Sequence, residues 1–468
     1  MTFSSVVFLF IFLPVIFFLY FILANDLIRN ILLVAASLIF YAFGEPVAVF
    51  IMIISIILNY VFGRICAGEK HDKLAVFAAV LLNIGLLFVF KYLGFVTETI
   101  NAVTPLNLPV PVIKLPVGIS FFTFQGLSYV IDVYRDKKMV QKNLLSVFLY
   151  ISFFPQLIAG PIVKYHDIEK QLHKREFSAD RVSRGINRFI IGLAKKVIIS
   201  NQMGYVADLV FNSSVSGLST LSAWLGAVCY MFQIFYDFSG YSDMAIGLGC
   251  IFGFDFKENF NYPYISWSVQ DFWRRWHISL STWFKEYVYI PLGGNRKGKF
   301  RTNINRTIVF FLTGLWHGAN FTFIVWGLLH GMFLILEEMG IIPTKKKWFR
   351  PFGHIYTLMV ALLTFVIFRA DSLSQAGKIM VKMFSGASGD MAVNSTILAG
   401  VSVMTIVALI FAVIFAIPVA KLISEKMEVT KLKGAAEHLQ YAGTLVLFAF
   451  CILLLISSEY NPFIYFRF

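Results

Sequence analysis

The chain has 468 residues, of which 58% are hydrophobic and 17% are aromatic, and its mean hydropathy is +0.75. Because a soluble domain rarely contains more than about half apolar residues, this composition excludes an ordinary soluble protein and indicates a polytopic integral membrane protein. The net charge of +14 is concentrated in a few loops, which favours contact with anionic membrane lipid over a nucleic-acid partner.

Uncharged segments long enough to cross a bilayer recur along the chain, at residues 4–24, 46–62, 74–90, 398–420 and 439–457. From their number and length we predict an all-α, multi-pass protein of the cytoplasmic membrane with about nine to eleven transmembrane helices. We expect a single membrane-embedded domain over residues 1–468. The four cysteines lie mostly in apolar runs without metal-like spacing, so we assign them to packing and expect no metal site.

Clusters of Lys and Arg predict cytoplasmic loops at residues 64–73, 135–142, 164–188, 274–306, 345–350 and 421–433. The apolar segment 144–163 has basic segments on both sides, so it cannot cross once, and its two prolines and glycine predict a helix that enters the bilayer and returns. The segment 307–337 has charged flanks and is interrupted at residues 316–320. Because broken helices at membrane depth need protein or water around them, we expect re-entrant helices around a central channel.

Polar and aromatic residues concentrate between Tyr230 and Gly331, and we expect the catalytic motifs there. Asp237 and Asp243 lie at the start of this region in an otherwise uncharged segment. A carboxylate in lipid is costly and faces a partner or a wet cavity. Each of the two therefore either pairs with Lys or Arg to hold helices together or has a direct catalytic role.

Residues 271–287 carry aromatic, basic and acidic side chains at helical spacing, and this pattern predicts one interfacial helix. In such a helix Trp and Tyr anchor at the lipid headgroups while Arg and Lys extend to water. His277 fits anchoring less well. Trp273 and Ser281, four residues away on either side, give it a half-apolar setting in which an imidazole needs a hydrogen-bond partner.

His317 is the sharpest candidate for chemistry, because Trp316-His317-Gly318 stands at the break between two apolar segments, close to Asn320 and His330. Imidazole is suited to take a proton from a hydroxyl and to return it to a leaving group near neutral pH. A structural hydrogen bond and a metal ligand are the alternatives, and no Cys or acidic residue stands at metal-site spacing. We expect His330 to pack or to form a hydrogen bond within its helix.

Several long motifs in one order resemble the membrane-bound O-acyltransferase family, and more closely its bacterial alginate O-acetyltransferase branch. They are residues 115–125 (LPVGISFFTFQ), 155–161 (PQLIAGP), 236–247 (YDFSGYSDMAIG), 271–277 (DFWRRWH), 289–294 (YIPLGG) and 314–319 (GLWHGA). The closing residues 463–468 (FIYFRF) also resemble that branch. The resemblance covers nearly the whole chain.

The resemblance implies a channel in which a cytoplasmic thioester donor, acetyl-CoA or another acyl thioester, meets a hydroxyl acceptor from the outer face, with no bound cofactor. His317 matches the family's catalytic histidine, and His277 matches a second position that carries His, Asn or Asp. We expect His317 to act as general base and His277 to orient or polarise the reacting groups. Candidate substrate-binding residues are Asp237, Asp243, Trp276, Trp316, Asn320, Arg274 and Arg275. Arg274, Arg275 and Lys285 either contact the donor's phosphates or anchor the chain in the membrane.

Relatives in this branch pass the acetyl group to a separate extracytoplasmic acetyltransferase or esterase-like protein that completes polysaccharide acetylation, so we expect such a partner. D-alanyl transfer to teichoic acid, the activity of a related branch, is the alternative enzyme. A transporter or flippase would use the same Asp and His residues as a pathway, but no internal repeat supports it. A structural subunit of an export complex would leave the histidine pair unexplained.

Overall fold

The computed structural model describes residues 1–68, 70–419, 422, 433–458 and 460–464. Within these ranges every regular element is helical and no strand occurs, which confirms the all-α class. Most of the predicted basic loop 421–433 and the closing residues 465–468 lie outside the described residues. The described chain forms two compact units, Met1–Phe189 with Met244–Lys257, and Ile190–Asp243 with Glu258–Phe468. The single membrane-embedded domain therefore stays a proposal.

The first unit is built from helices that are mostly short or interrupted by π-helical turns. Their bounds are Phe8–Phe12, Leu13–Ile22, Asp26–Ala42, Ala48–Cys66, Asp72–Leu87, Phe88–Tyr92, Leu93–Val103, Ile119–Arg135, Lys137–Met139, Leu144–Ser152, Phe154–Leu157, Tyr165–Ile168, Glu169–Leu172 and the larger part of Ala179–Ala194. Its core is aromatic: the rings of Phe3, Phe8, Phe12, Phe40 and Phe154 lie with centroids 5.0 to 6.5 Å apart. Such clusters bury large apolar area in tilted and edge-to-face contacts.

The segment 144–163 breaks as its prolines and glycine predict. The helix Leu144–Ser152 ends at Phe153, and only the short turn Phe154–Leu157 follows before irregular backbone. Gly118, which belongs to the motif 115–125, packs closely against this break. Its φ of +79° suits glycine, and a Cβ there would lie 2.7 Å from the Leu157 carbonyl oxygen. Two of the sequence motifs are therefore joined through backbone contact.

The second unit contains the larger part of Thr220–Ile251 and most of the long helices. The bounds of its other elements are Lys195–Ser200, Asn201–Phe211, Val215–Gly217, Pro263–Ile265, Val269–Arg275, Ile278–Phe284, Lys285–Tyr289, Gly298–His317, Phe321–Glu338, Lys347–Phe349, Arg350–Arg369, Leu373–Phe384, Met391–Ala399, Val403–Phe415 and Lys433–Ser457. The interruption predicted in 307–337 is found at Gly318–Asn320, between two long helices.

Five helices in the described ranges are long and apolar enough to cross a membrane: Ala48–Cys66, Asp72–Val103, Phe321–Glu338, Lys347–Arg369 and Leu439–Ser457. A sixth span results if Met391–Ala399 and Val403–Phe415, which meet at a bend of 74°, cross as a pair. The chain is thus a multi-pass membrane protein. The larger count of about nine to eleven helices depends on shorter or more polar helices and stays a prediction.

The prediction of one continuous interfacial helix over residues 271–287 is wrong. The structure has two short helices, Val269–Arg275 and Ile278–Phe284, followed by a π-helical turn. The break is at His277, whose φ of +44° lies in the left-handed region that non-glycine residues rarely adopt. Helical spacing alone did not reveal it, because the sequence there contains neither Gly nor Pro.

Candidate active site

His317 is placed by a helical hairpin. It is the last residue of Gly298–His317, and the chain turns at Gly318, where a side chain would collide with the ring of Phe323. Asn320 begins the next helix by accepting a hydrogen bond from the Thr322 backbone N–H at 3.0 Å, a capping interaction that satisfies a helix terminus. The hairpin thus presents an imidazole at its tip, with the side chain 7% exposed.

His277 is placed by the break between its two short helices. Its side chain is 1% exposed, and its Nδ1 lies 3.3 Å from the Asn259 side-chain oxygen. The same oxygen accepts hydrogen bonds from the Ser279 backbone N–H at 3.1 Å and from the Ser279 hydroxyl at 2.9 Å. The Asn259 carbonyl also accepts from the Ile278 N–H at 2.9 Å. Asn259 therefore holds the strained turn that carries His277.

The two histidines lie in one small cavity, which we call the histidine cavity. Their ring centroids are 6.2 Å apart. The cavity has a volume of about 10 Å³, room for about one water, and its other lining residues are Ile234, Phe238, Trp276, Trp326, Phe365, Phe368 and Ile464. The ring of Phe238 meets His277 edge-on at 4.5 Å, and those of Trp326 and Phe368 meet His317 at 5.1 and 5.2 Å. These rings leave room for little water beside the histidines.

Both candidate aspartates form ion pairs. Asp237 lies 2.7 Å from the Lys196 ammonium, with both side chains almost fully buried, and Asp243 lies 2.5 Å from Lys195. The pairing alternative considered for these carboxylates is therefore realised. Neither aspartate lines the histidine cavity in the described part of the chain.

A second cavity, which we call the basic pocket, has a volume of about 230 Å³. Three cationic residues line it, the exposed Arg274 and Lys285 and the half-buried Arg306. One guanidinium nitrogen of Arg306, Nη1, is buried without a hydrogen-bond partner among the described residues. The other lining residues include Trp273, Phe284 and Phe310, and none is acidic. A positive, partly apolar pocket of this kind suits a phosphorylated ligand with an apolar part.

His330 is held between helices rather than within its own. It accepts a hydrogen bond at Nδ1 from the Trp273 indole N–H at 3.2 Å. Its Nε2 lies 3.0 Å from the Thr364 hydroxyl, which itself donates to the Val360 carbonyl at 2.7 Å. Because the hydroxyl proton is used, Nε2 is the donor and His330 is neutral. Both ring nitrogens are satisfied, so this histidine has a structural role.

The remaining predicted site residues divide between the cavities and the surrounding fold. Trp276 lines the histidine cavity, and the ring centroid of Trp316 lies 5.8 Å from that of His277. Arg275 instead pairs with Asp271 at 3.1 Å, and Asn320 donates to the Asp371 carbonyl at 3.1 Å. In the described ranges no group of three or more His, Cys, Asp or Glu residues is arranged to hold a metal ion.

Sequence reasoning missed Asn259, Phe238, Phe365, Phe368, Arg306 and Ile464. Asn259 lies 18 residues before His277, and Ile464 lies near the C-terminus. Only the fold brings these two residues to the site. The aromatic residues resemble the many others in an apolar chain. Arg306 stands at the end of the basic stretch 274–306 and could have been singled out as its cation nearest the apolar helix.

Comparison with known proteins supplies the family context. A model of the membrane-bound O-acyltransferase family matches residues 117–375, which include both histidines. The chain is 40% identical to a probable alginate O-acetylase AlgI of Pseudomonas putida over the full length of both proteins. It is 37% identical to a peptidoglycan O-acetyltransferase of Helicobacter pylori, covering 81% of this chain and 79% of the relative.

A more distant relative is a teichoic acid D-alanyltransferase of Bacillus subtilis. It is 32% identical, and the match covers 65% of this chain and 78% of that protein. All three relatives carry acyltransferase names, although their acceptors differ.

Proposed function

This chain belongs to the membrane-bound O-acyltransferase family, and from that premise we propose that it moves an acetyl group across the cytoplasmic membrane. The donor is a cytoplasmic thioester such as acetyl-CoA. The acceptor is a hydroxyl of an extracytoplasmic polysaccharide, or of an acetyltransferase or esterase-like partner protein that acetylates it. The observation that carries the proposal is the pair of buried imidazoles, 6.2 Å apart in one aromatic cavity.

The reaction that suits this pair is direct acyl transfer. His317 takes the proton from the acceptor hydroxyl, whose oxygen attacks the thioester carbonyl carbon. The carbon–sulfur bond then breaks, and the departing thiolate takes the proton from the His317 imidazolium, so that proton and charge balance. General base help of this kind is typically worth roughly 10² to 10⁴ in rate. The aromatic walls strengthen it by excluding water from the reacting groups.

His277 is suited to orient the acceptor. The Asn259 atom beside it must be oxygen, because it accepts from the Ser279 backbone N–H, which can only donate. His277 Nδ1 therefore carries its proton toward Asn259, and Nε2 keeps a lone pair. This lone pair can accept a hydrogen bond from a second hydroxyl of the acceptor, so that the reacting hydroxyl keeps its own proton for His317 and is fixed in direction relative to it.

The basic pocket is suited to the phosphate end of the donor. Arg274, Lys285 and Arg306 provide three positive charges at its wall, and Arg306 has a buried nitrogen ready to donate. Charge-assisted hydrogen bonds to phosphate are stronger than neutral ones. Trp273 lines this pocket and its ring lies 5.7 Å from that of Trp326, which lines the histidine cavity. The two cavities therefore lie close together, and we propose that the thioester end of a donor held by its phosphates extends toward the histidines.

Acetyl is favoured over D-alanyl as the transferred group. A D-alanyl group carries an ammonium, which needs a carboxylate or water when it is removed from solvent. No carboxylate is among the described residues that line the histidine cavity. The two acetyltransferase relatives are also more similar to this chain than the D-alanyltransferase is.

The function is tested by transport of the acetyl group in proteoliposomes. The purified chain is reconstituted, acetyl-CoA with a labelled acetyl group is supplied on one side, and a polysaccharide acceptor, with and without an extracytoplasmic partner, is supplied on the other. The proposal predicts labelled ester on the acceptor and one free thiol for each ester formed. Movement of intact donor or acceptor across the bilayer without thiol release would support a transporter instead.

The role of the basic pocket is tested with two donors. Arg306→Gln is expected to raise KM for acetyl-CoA by roughly tenfold or more, the effect of losing a charged hydrogen bond. It should leave KM unchanged for an acetyl thioester of N-acetylcysteamine, which has no phosphate. Arg301→Gln, an exposed arginine on the same helix, is the matched control. An equal effect on both donors would show that Arg306 does not bind phosphate.

A further inference from the structure

The segment 460–464 is fixed to the second unit by successive contacts. The Tyr460 hydroxyl donates to Asp208 at 2.6 Å, and the Asn201 side-chain amide donates to Asn461 at 3.2 Å. The ring of Phe463 lies 4.6 Å from that of Tyr241. The segment is therefore held through its side chains by the helices Asn201–Phe211 and Thr220–Ile251.

The buried pair of Lys196 and Asp237 holds the backbone of the same segment. The Lys196 ammonium donates to the Pro462 carbonyl, and Asp237 accepts from the Ile464 N–H at 2.7 Å through the oxygen that does not face Lys196. The two side chains are 4% and 1% exposed. A buried ion pair is favourable when further hydrogen bonds satisfy its remaining atoms, and here the segment provides two of them.

These contacts position Ile464 in the histidine cavity. Ile464 is buried and is one of the nine residues that line the cavity, together with His277 and His317. The position of its side chain is set by its own backbone N–H, which donates a hydrogen bond to Asp237. Because the cavity holds only about 10 Å³, an aliphatic side chain in its wall limits what can fit beside the imidazoles.

We propose that Lys196 and Asp237 are positioning residues that latch Ile464 into the wall of the histidine cavity, and that Ile464 thereby limits the length of the transferred acyl group. The limit on acyl length rests on the proposed acyl transfer. The latch itself does not, since it concerns only the position of the segment. Asp237 acts here through Ile464 rather than by contact with substrate.

The latch is tested by the reactivity of a thiol introduced at position 464. In the variant Ile464→Cys, labelling of that thiol by N-ethylmaleimide is measured by mass spectrometry in the detergent-solubilised full chain. Adding Lys196→Gln is expected to accelerate labelling by at least about tenfold, because the segment opens more often. The matched control is Lys195→Gln, which breaks the neighbouring ion pair with Asp243 and should leave the labelling rate unchanged.

A merely stabilising role predicts a different result. If the pair only supports the fold, Lys196→Gln and Lys195→Gln would lower the unfolding temperature without a selective change in labelling of the introduced thiol, and the latch would be refuted. Should Lys196→Gln not fold, the double variant Lys196→Met with Asp237→Leu removes both charges together with the acceptor of the Ile464 N–H, and leaves no buried unpaired ion. Equal labelling in this double variant and its parent would likewise refute the latch.

The limit on acyl length is tested by donor preference. Ile464→Ala is expected to raise the rate of butanoyl transfer relative to acetyl transfer from the CoA thioesters by roughly tenfold or more, because each methylene that an apolar pocket accepts or rejects changes the rate by roughly that factor or more. Ile464→Val, which removes a single carbon, is expected to raise this ratio by less. An unchanged ratio would contradict the limit. If the parent transfers neither group, the proposed function fails, while the labelling result still decides the latch.

Discussion

His277 combines a strained backbone with a buried imidazole. Its φ of +44° costs a non-glycine residue roughly 1 to 2 kcal/mol, and contacts from Asn259 maintain it. Such strain persists where the surrounding structure over-determines it, as it does at many active sites. Here the left-handed turn ends one short helix and begins the next, and it directs the ring toward His317.

Two substitutions at His277 distinguish the effect of its backbone strain from the effect of its imidazole ring. His277→Gly removes the ring but adopts the left-handed turn freely, whereas His277→Ala removes the ring and retains the strain. We expect both variants to lose acetyl transfer to a similar extent. His277→Ala should be less stable than His277→Gly by about 1 kcal/mol, as measured by unfolding in detergent. Transfer that survives in His277→Gly would show that the imidazole is dispensable.

At the scale of single residues, the sequence indicated the two candidate histidines but not the contacts that hold them. Two intramembrane histidines at motif positions were identifiable, and the structure brings them into one cavity. The role of Asn259 was not identifiable, because an asparagine in a loop has no periodic signature. Asp237 was recognised as a costly buried charge, yet its partners Lys196 and Ile464 lie 41 residues before it and 227 after it.

Among the elements, the hairpin of Gly298–His317 and Phe321–Glu338 depends on close backbone approach. A methyl group at Gly314 would overlap the Phe323 carbonyl, and one at Gly327 would overlap the Phe310 carbonyl. Small residues at such crossings allow helices to approach closely in membranes. This approach positions His317 at the tip of the hairpin.

Two glycine substitutions test the hairpin. Gly314→Ala is expected to destabilise the protein by about 1 to 3 kcal/mol and to reduce transfer, because two backbones must separate. Gly377→Ala, in the exposed face of Leu373–Phe384 where an added Cβ meets nothing within 4 Å, should instead stabilise by about 0.5 to 1 kcal/mol. Unfolding temperatures and transfer rates of the two variants provide the measurement. Equal effects would contradict the close crossing.

A histidine outside the membrane-spanning helices links stability to pH. The His166 ring lies 2.9 Å from Asp132, and this hydrogen bond raises the pKa of His166 above its ordinary value. The protonated form is therefore favoured in the folded state. Its stabilisation is complete below the unfolded pKa of about 6.5 and is lost as pH rises through the higher folded pKa.

We accordingly expect the unfolding temperature to decrease as the pH is raised from about 6 to 8, and to decrease less in His166→Gln. His354→Gln, at an exposed histidine on Arg350–Arg369, is the control and should retain the parental slope. An identical slope in His166→Gln and the parent would exclude His166 as the source. The measurement is thermal unfolding of the purified protein across this range.

Element boundaries were predictable where residues have a strong local preference. Prolines and glycine predicted the break in 144–163, and Trp-His-Gly followed by Asn320 predicted the break before Phe321. The break at His277 was not predictable, since its left-handed turn depends on Asn259 and the fold around it. Local propensity fails at this position, as is expected where tertiary contacts maintain a strained backbone.

For the whole molecule, composition was sufficient to predict a membrane protein. Large apolar side chains such as Phe18, Phe50 and Phe77 are exposed on the outer faces of helices, which agrees with a lipid surface. The polar stretch 230–331 contains both histidines and most of the basic pocket. The division into two compact units was not foreseen, because no linker or change in composition marks it.

The central claim is that His317 is the general base of acetyl transfer, and one comparison tests it most directly. Rates of thiol release and ester formation are measured in proteoliposomes for the parent, His317→Ala and His330→Gln at matched amounts of folded protein. We predict that His317→Ala lowers both rates by roughly 10² to 10⁴, while His330→Gln retains turnover per folded molecule, because His330 only joins helices. Undiminished turnover in His317→Ala would contradict the account.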